Sequence, residues 1–148
     1  MITTFGNLDD IESWMELVNS VSWNFPGLET MKGIEEHKTT VERFMEKKQA
    51  ICVKDGNEVI GVTLFSRKHN MICCLAVCPA YRRKGLATLL LVESMKHLDR
   101  TKNITVSTFR EEDSKGAAPR ALYKKFGFVE GELIEEFNYP HQKFILYA

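Results

Sequence analysis

The sequence predicts a single α/β domain in which one mixed sheet carries helices on both faces. Three observations predict it. Asp55-Gly56-Asn57 separates two apolar runs, which marks a β-hairpin. Strand, helix and strand patterns then alternate. No repeat and no Pro-, Gly- or Ser-rich linker offers a boundary within the 148 residues, a length that suits one core and is too short for two ordinary domains.

Each element has a local reason. Ile2–Phe5 reads as a short strand, and Asp9 or Asp10 caps a helix carrying Ile11, Trp14, Met15 and Val18 on one side and ending near Ser20. Turn formers among large aromatics make the segment from Ser22 to Leu28 a loop, and a second helix is expected from Glu35 to Lys48. Ala50–Lys54 and Val59–Ser66 form the hairpin, and Met71–Val77 is the next strand. From Gly85 to Leu98 a helix places Ala87, Leu90, Leu91, Met95 and Leu98 on one side, after which Asn103–Phe109 alternates as a strand. Ala117–Phe126 is a helix ended by Gly127, and Phe128–Phe137 and Lys143–Tyr147 close the chain as strands, with Phe137 to His141 as their turn.

Composition excludes several classes. Hydrophobic residues make up 44% and charged residues 27%, as in ordinary globular proteins. Lys+Arg and Asp+Glu balance at 20 each, which disfavours nucleic acid as a partner and leaves a small ligand as the expectation. Met1 to Asp10 lacks a basic start with an apolar run, and no later stretch has membrane-spanning length, so the expected location is the cytoplasm, away from membranes. Cys52, Cys73, Cys74 and Cys78 lack metal-ligand spacing and are expected to be buried thiols. No metal is expected.

The most informative stretch runs from Leu75 through Ala76, Val77, Cys78, Pro79, Ala80, Tyr81, Arg82, Arg83, Lys84, Gly85 and Leu86 to Ala87. It reads as strand, basic loop, helix. A helix start has unpaired N–H groups and partial positive charge, and Gly85 and Ala87 leave room there for a pyrophosphate. Arg82, Arg83 and Lys84 concentrate like charge where an anion would offset it, although a solvated basic turn is the plainer alternative. GxxxxGK[ST] and GxGxxG are both absent, so a nucleotide hydrolase or a dehydrogenase is disfavoured.

Arg82 to Ala87 resembles the acetyl-CoA loop of the GNAT superfamily of N-acetyltransferases, [Q/R]-x-x-G-x-[G/A], and the residues before it resemble that family's "LAV-x-P-x-Y-R" run. The resemblance implies a largely antiparallel mixed sheet with a parallel strand pair splayed apart after Val77, and acetyl-CoA as co-substrate. It implies a binding set of Leu75, Ala76, Val77, Arg82, Arg83, Lys84, Gly85, Leu86, Ala87 and Thr88. Leu75 and Val77 would pair through their backbones with the pantetheine arm, and amides from Arg83 to Ala87 would surround the pyrophosphate. The physical rationale is β-augmentation: pantetheine has peptide-like amides, and an open strand edge has N–H and C=O groups in need of partners.

A second run, Ala121 to Phe128, resembles the family's "lYek-x-GF" helix end and implies that Tyr123 hydrogen-bonds the departing sulfur. A phenol can stabilise a developing thiolate in that way. The implied reaction is direct attack by a neutral amine on the thioester, with an oxyanion held by a strand amide near Val77 and no acyl-cysteine. Two departures stand out: Gly116 replaces a frequent asparagine and Pro119 an alanine, and Met71–Val77 lacks the glutamate that some relatives use as a base. Glu29, Glu36, His37 and His141 are the candidates for that role, although an ordinary surface residue is the plainer reading of each. Trp23, Phe25 and Tyr139 are the expected acceptor-site residues, with Pro26 beside them. A small-molecule amine or a peptide amine remains open as acceptor, as does a homodimer. The alternative function is a catalytically silent acetyl-CoA sensor, against which Tyr123 speaks, since a sensor has no leaving thiolate.

Overall fold

The first helix is started by Asn7 rather than by either aspartate. After β1 (Thr3–Phe5) the Asn7 side chain accepts from the Asp9 N–H, and the Asp10 carboxylate accepts from the Asn7 N–H at 3.0 Å. This reciprocal cap closes a 3₁₀ turn, Leu8–Asp10, that runs directly into α1 (Ile11–Ser20). Thr30 starts α2 (Met31–Glu46) by accepting from the Gly33 N–H at 3.0 Å. That is one turn before the expected Glu35, because the cap, and not the first apolar residue, sets the boundary.

In this computed structural model, which describes residues Met1–Ala148, the remaining elements are β2 (Ala50–Asp55), β3 (Glu58–Ser66), β4 (Met71–Val77), α3 (Leu86–Lys96), β5 (Ile104–Phe109), α4 (Ala117–Lys125), β6 (Val129–Glu136) and β7 (Tyr139–Leu146). They form one seven-stranded sheet in the order β1-β2-β3-β4-β5-β7-β6, with β4–β5 as its parallel pair. One face packs under α3 and α4 through Ile60, Phe65, Ile72, Leu90 and Phe144, and the other packs under α1 and α2 through Trp14, Val41, Cys52 and Val62. No helix is long and apolar enough to cross a membrane.

The final turn is tighter than expected. Phe137 and Asn138 take φ +53° and +58°, the left-handed pair that a two-residue hairpin requires, so Tyr139, Pro140 and His141 belong to β7 and not to a loop. Phenylalanine is a poor signal for that backbone, and Pro140 reads as a strand breaker. It is tolerated because β7 pairs with β5 only as far as His141.

Arg120 ties α4 to this end of the sheet. Only 5% exposed, it donates to the Phe109 carbonyl (3.0 Å) and to Gln142 Oε1 (2.8 Å), and it pairs with Glu130 at 2.6 Å. Lys124, and after it Arg120, hold the Glu130 carboxyl below its usual range. Arg120→Met should cost about 3 kcal/mol, because two buried acceptors lose their donor. The check is a lower urea midpoint at unchanged slope.

The parallel seam is short. β4 and β5 pair only at Met71–Thr105 and Ile72–Val106, and then diverge. At that point Leu64 faces Cys74 while Phe65 faces Ile72, so Cys73 is an extra residue in β4. Such a bulge bends its strand away from a straight course. The splay therefore begins after Ile72, several residues before the expected Val77. The bulge also corrects the expectation of four buried thiols: Cys52 is buried, Cys74 and Cys78 are half-buried, and Cys73 is exposed.

Candidate active site

The gap between β4 and β5 leaves one edge of β4 open. Cys78 N–H bonds the Ile60 carbonyl at 2.8 Å, and Ala76 lies opposite Val62, so those residues turn their polar groups towards β3. By the alternation of an antiparallel ladder, the N–H and C=O groups of Leu75 and Val77 face the gap. The gap opens into a cleft of about 810 Å³ bounded by β4, β5, the starts of α3 and α4, and the Trp23–Pro26 loop. Its volume falls within the usual range for a ligand site.

One end of the cleft is the start of α3. Gly85 caps the helix at φ +80° with no side-chain cap, and the first turn contains no acidic residue. The first intrahelical donor is Leu89 N–H, to the Gly85 carbonyl at 3.0 Å, so the amides of Leu86, Ala87 and Thr88 are free for a ligand. A Cβ at Gly85 would meet nothing within 4 Å, which marks open space over those amides. Arg82 and Arg83 line the same space. Lys84 does not: its Nζ lies 5.3 Å over the Tyr81 ring, outside the cleft lining. Tyr81 in turn donates to Asp55 Oδ2 at 2.5 Å and so fastens the loop to the β2–β3 hairpin.

Tyr123 comes from α4, in the middle of the cleft. Its ring is 5% exposed and packs on Phe128 and Phe144, with centroids 5.8 and 6.1 Å away. Its hydroxyl has no protein partner, yet no sealed side-chain polar atom is left unpaired, so the oxygen opens into the cleft. Burial, and then the neighbouring Cys74, push the phenol well above its ordinary value, and burial pushes the Cys74 thiol up to about 12. Both groups are neutral at physiological pH.

Gly116 and Pro119 have structural reasons. A Cβ at Gly116 would lie 3.1 Å from Phe109 Cβ and 3.2 Å from the Arg110 carbonyl, so a side chain there would fit only if its neighbours shifted by a few tenths of an ångström. Ala117, Ala118 and Pro119 line the cleft in its place. Pro119 sits in the first turn, where a missing N–H costs nothing.

The far end is built by the β6–β7 hairpin and the loop after α1. Trp23, Phe25 and Pro26 line it, and a Cβ at Gly27 would stand 3.1 Å from the Phe137 ring, so loop and hairpin meet. Tyr139 is not in the lining: its hydroxyl donates to Asp113 at 2.7 Å and accepts from Lys115 at 3.2 Å. His141 is in the lining, whereas Glu29, Glu36 and His37 are not. Glu136 lines it as well, beside Cys73; although that residue is exposed at the surface, partial desolvation by the surrounding protein and then that carboxylate push its thiol up to about 11. A side groove of about 320 Å³ continues past Met71, Cys73, Ser107 and Glu136. Glu136 and Ser107 carry no sequence signal, since only the folded-back hairpin and the bulge bring them to the cleft.

This architecture recurs in solved structures. An N-acetyltransferase from Staphylococcus aureus Mu50 matches at TM-score 0.75 and 17% identity, over 99% of this chain and 100% of that one. A ribosomal-protein-alanine N-acetyltransferase from Brucella melitensis matches at 0.74 and 14%, over 100% of both chains. The PaiA N-acetyltransferase from Thermoplasma acidophilum, solved in complex with coenzyme A, matches at 0.69 and 16%, over 95% of this chain and 96% of that one. No curated protein sequence matches. The sequence profile of the acetyltransferase (GNAT) domain covers residues 46–130, more than half of the chain and the whole span from β2 to the start of β6, including the loop, the open edge and Tyr123. The chain therefore belongs to the GNAT acetyltransferase family.

Proposed function

We propose that this acetyltransferase moves the acetyl group of acetyl-CoA to a primary amine by direct attack on the thioester, in the cytoplasm. The observation that carries the reading is one continuous cleft holding the free amides of α3, the open edge at Leu75 and Val77, and the unpartnered Tyr123 hydroxyl. Its parts suit the cofactor: free amides with Arg82 and Arg83 for a pyrophosphate, and a strand edge for the amides of pantetheine. The coenzyme A complex of the Thermoplasma neighbour supports the same ligand.

Tyr123 gives its proton to the departing sulfur. The carbonyl oxygen is held by an open strand amide near Val77, at Val77 itself or at Leu75, which stabilises the charge that builds there. Cys73 and Cys74 do not carry the acetyl group, since thiols pushed up to about 11 and about 12 are poor nucleophiles at neutral pH. Glu136 adds negative charge at the acceptor end, which favours a cationic amine, free or at a peptide terminus; the Brucella neighbour acts on a ribosomal-protein alanine.

Thiol release from acetyl-CoA across a panel of amines, against the amine-free rate, is the test: no amine-dependent release would favour the sensor. Calorimetry should show acetyl-CoA and CoA binding at least tenfold more tightly than ATP or NAD, which lack pantetheine for the β4 edge. Equal affinity for ATP would reduce the loop to a generic anion site.

A further inference from the structure

An amine of ordinary basicity reaches the enzyme as an ammonium with no lone pair, so the acceptor end needs a group that removes a proton. Most of the acids there are occupied. Asp113 accepts from Tyr139 and from the Lys115 N–H, and Glu29 accepts from the Gly27 N–H at 2.9 Å. Glu136 is free but sits on the hairpin rim, half-exposed.

The geometry points to His141 as the base that takes the proton from the acceptor amine, a role that rests on the acetyl transfer proposed above. The ring is buried, stacked on Phe109 at 5.6 Å and edge-on to Tyr139 at 5.9 Å, so its orientation is fixed. Nδ1 lies 2.8 Å from the Tyr139 carbonyl, and a carbonyl can only accept, so Nδ1 carries the hydrogen. Nε2 is then left with the lone pair. It has no protein partner and, since no sealed polar atom is unpaired, it opens to the cleft that His141 lines. Arg110 Nε holds the His141 carbonyl at 3.1 Å and so pins the strand.

The charges around the ring are Asp113 and Lys115 from the turn before α4, Glu136 from β6 and Arg110 from the end of β5. Asp113 and Lys115 offset each other through the Tyr139 hydroxyl. Nε2 takes one proton from R–NH3+ and passes it to solvent. The freed lone pair forms the N–C bond, the C–S bond breaks, and the sulfur receives the Tyr123 proton. The second proton shed by the nitrogen restores the phenol, so the products are the amide, the thiol and one released proton.

The test compares wild type with His141→Gln on amines of graded basicity at pH 7. With a strongly basic alkylamine, kcat/KM should fall about a hundredfold. With a weakly basic amine that arrives neutral, such as methoxyamine, the loss should stay within threefold. Equal losses for both amines, or no loss, would overturn the assignment. Glu136→Gln should raise KM while keeping the dependence on basicity; loss of that dependence in Glu136→Gln but not in His141→Gln would transfer the role. Should His141→Gln melt early, His141→Asn and the wild-type ring decide: long-range 1H–15N spectra should show Nδ1 protonated and Nε2 bare, and the opposite tautomer rejects the proposal without reference to turnover. A wild type that acetylates no amine would reject the transfer reading and the base with it, whereas normal turnover with an unaltered His141→Gln profile would reject the base alone.

Discussion

Gly85→Glu should weaken CoA binding at least a hundredfold while the protein stays folded. The carboxylate would project over the free amides of Leu86, Ala87 and Thr88, where nothing lies within 4 Å of a Cβ, and would take the phosphate's place. A side chain at φ +80° costs on the order of 1 kcal/mol of strain, which is small beside typical domain stability. Part of that cost is returned, because an acid at a helix start favours the dipole. The measurement is calorimetric affinity for CoA beside a thermal melt. A folded variant with wild-type affinity would remove the phosphate site from α3. Arg82→Ala should be milder, roughly three- to tenfold, since the backbone donors remain.

Tyr123→Phe should lower kcat by roughly ten- to a thousandfold and leave acetyl-CoA affinity within twofold. The ring contacts with Phe128 and Phe144 survive the change, and the hydroxyl breaks no protein hydrogen bond when it leaves. What goes is an interaction that strengthens only as charge appears on the sulfur. The raised phenol value fixes the sign of the pH dependence: Tyr123 remains protonated through neutrality and mild alkali, so its ionisation should cause no fall in rate up to about pH 10. Turnover within twofold of wild type would leave Tyr123 as a packing residue.

The parts legible in the sequence are those in which chemistry and local backbone coincide. Arg82 to Ala87 is a contiguous loop whose glycine is needed at the spot where the helix starts, and Tyr123 sits a fixed step before a glycine C-cap. Strand and helix types follow from periodicity, and Met71–Val77 matches to the residue. Trp23, Phe25 and His141 are legible by residue type, but the rest of the acceptor end is not, for two reasons. A bulge at Cys73 is a matter of register between β3 and β4, which neither strand encodes alone. Glu136 reaches the cleft, and His141 reaches it from a strand and not from a loop, because Phe137 and Asn138 adopt a tight turn that phenylalanine does not advertise. The side chains of Lys84 and Tyr139 turn away from the cleft for the complementary reason: residue type gives chemistry, but not the direction in which a side chain leaves the backbone.

The two-pair seam between β4 and β5 leaves this sheet unfinished where it is most central. A ligand seated there, as proposed for pantetheine, would act as a surrogate strand, filling hydrogen bonds that the chain does not supply for itself. Anything that binds only the folded form adds to its stability by mass action, about 2.7 kcal/mol at a hundred times its dissociation constant. The lifetime of the protein in a cell would then follow the supply of its own acyl donor, with starvation for that metabolite leaving the domain more open to proteolysis as well as idle.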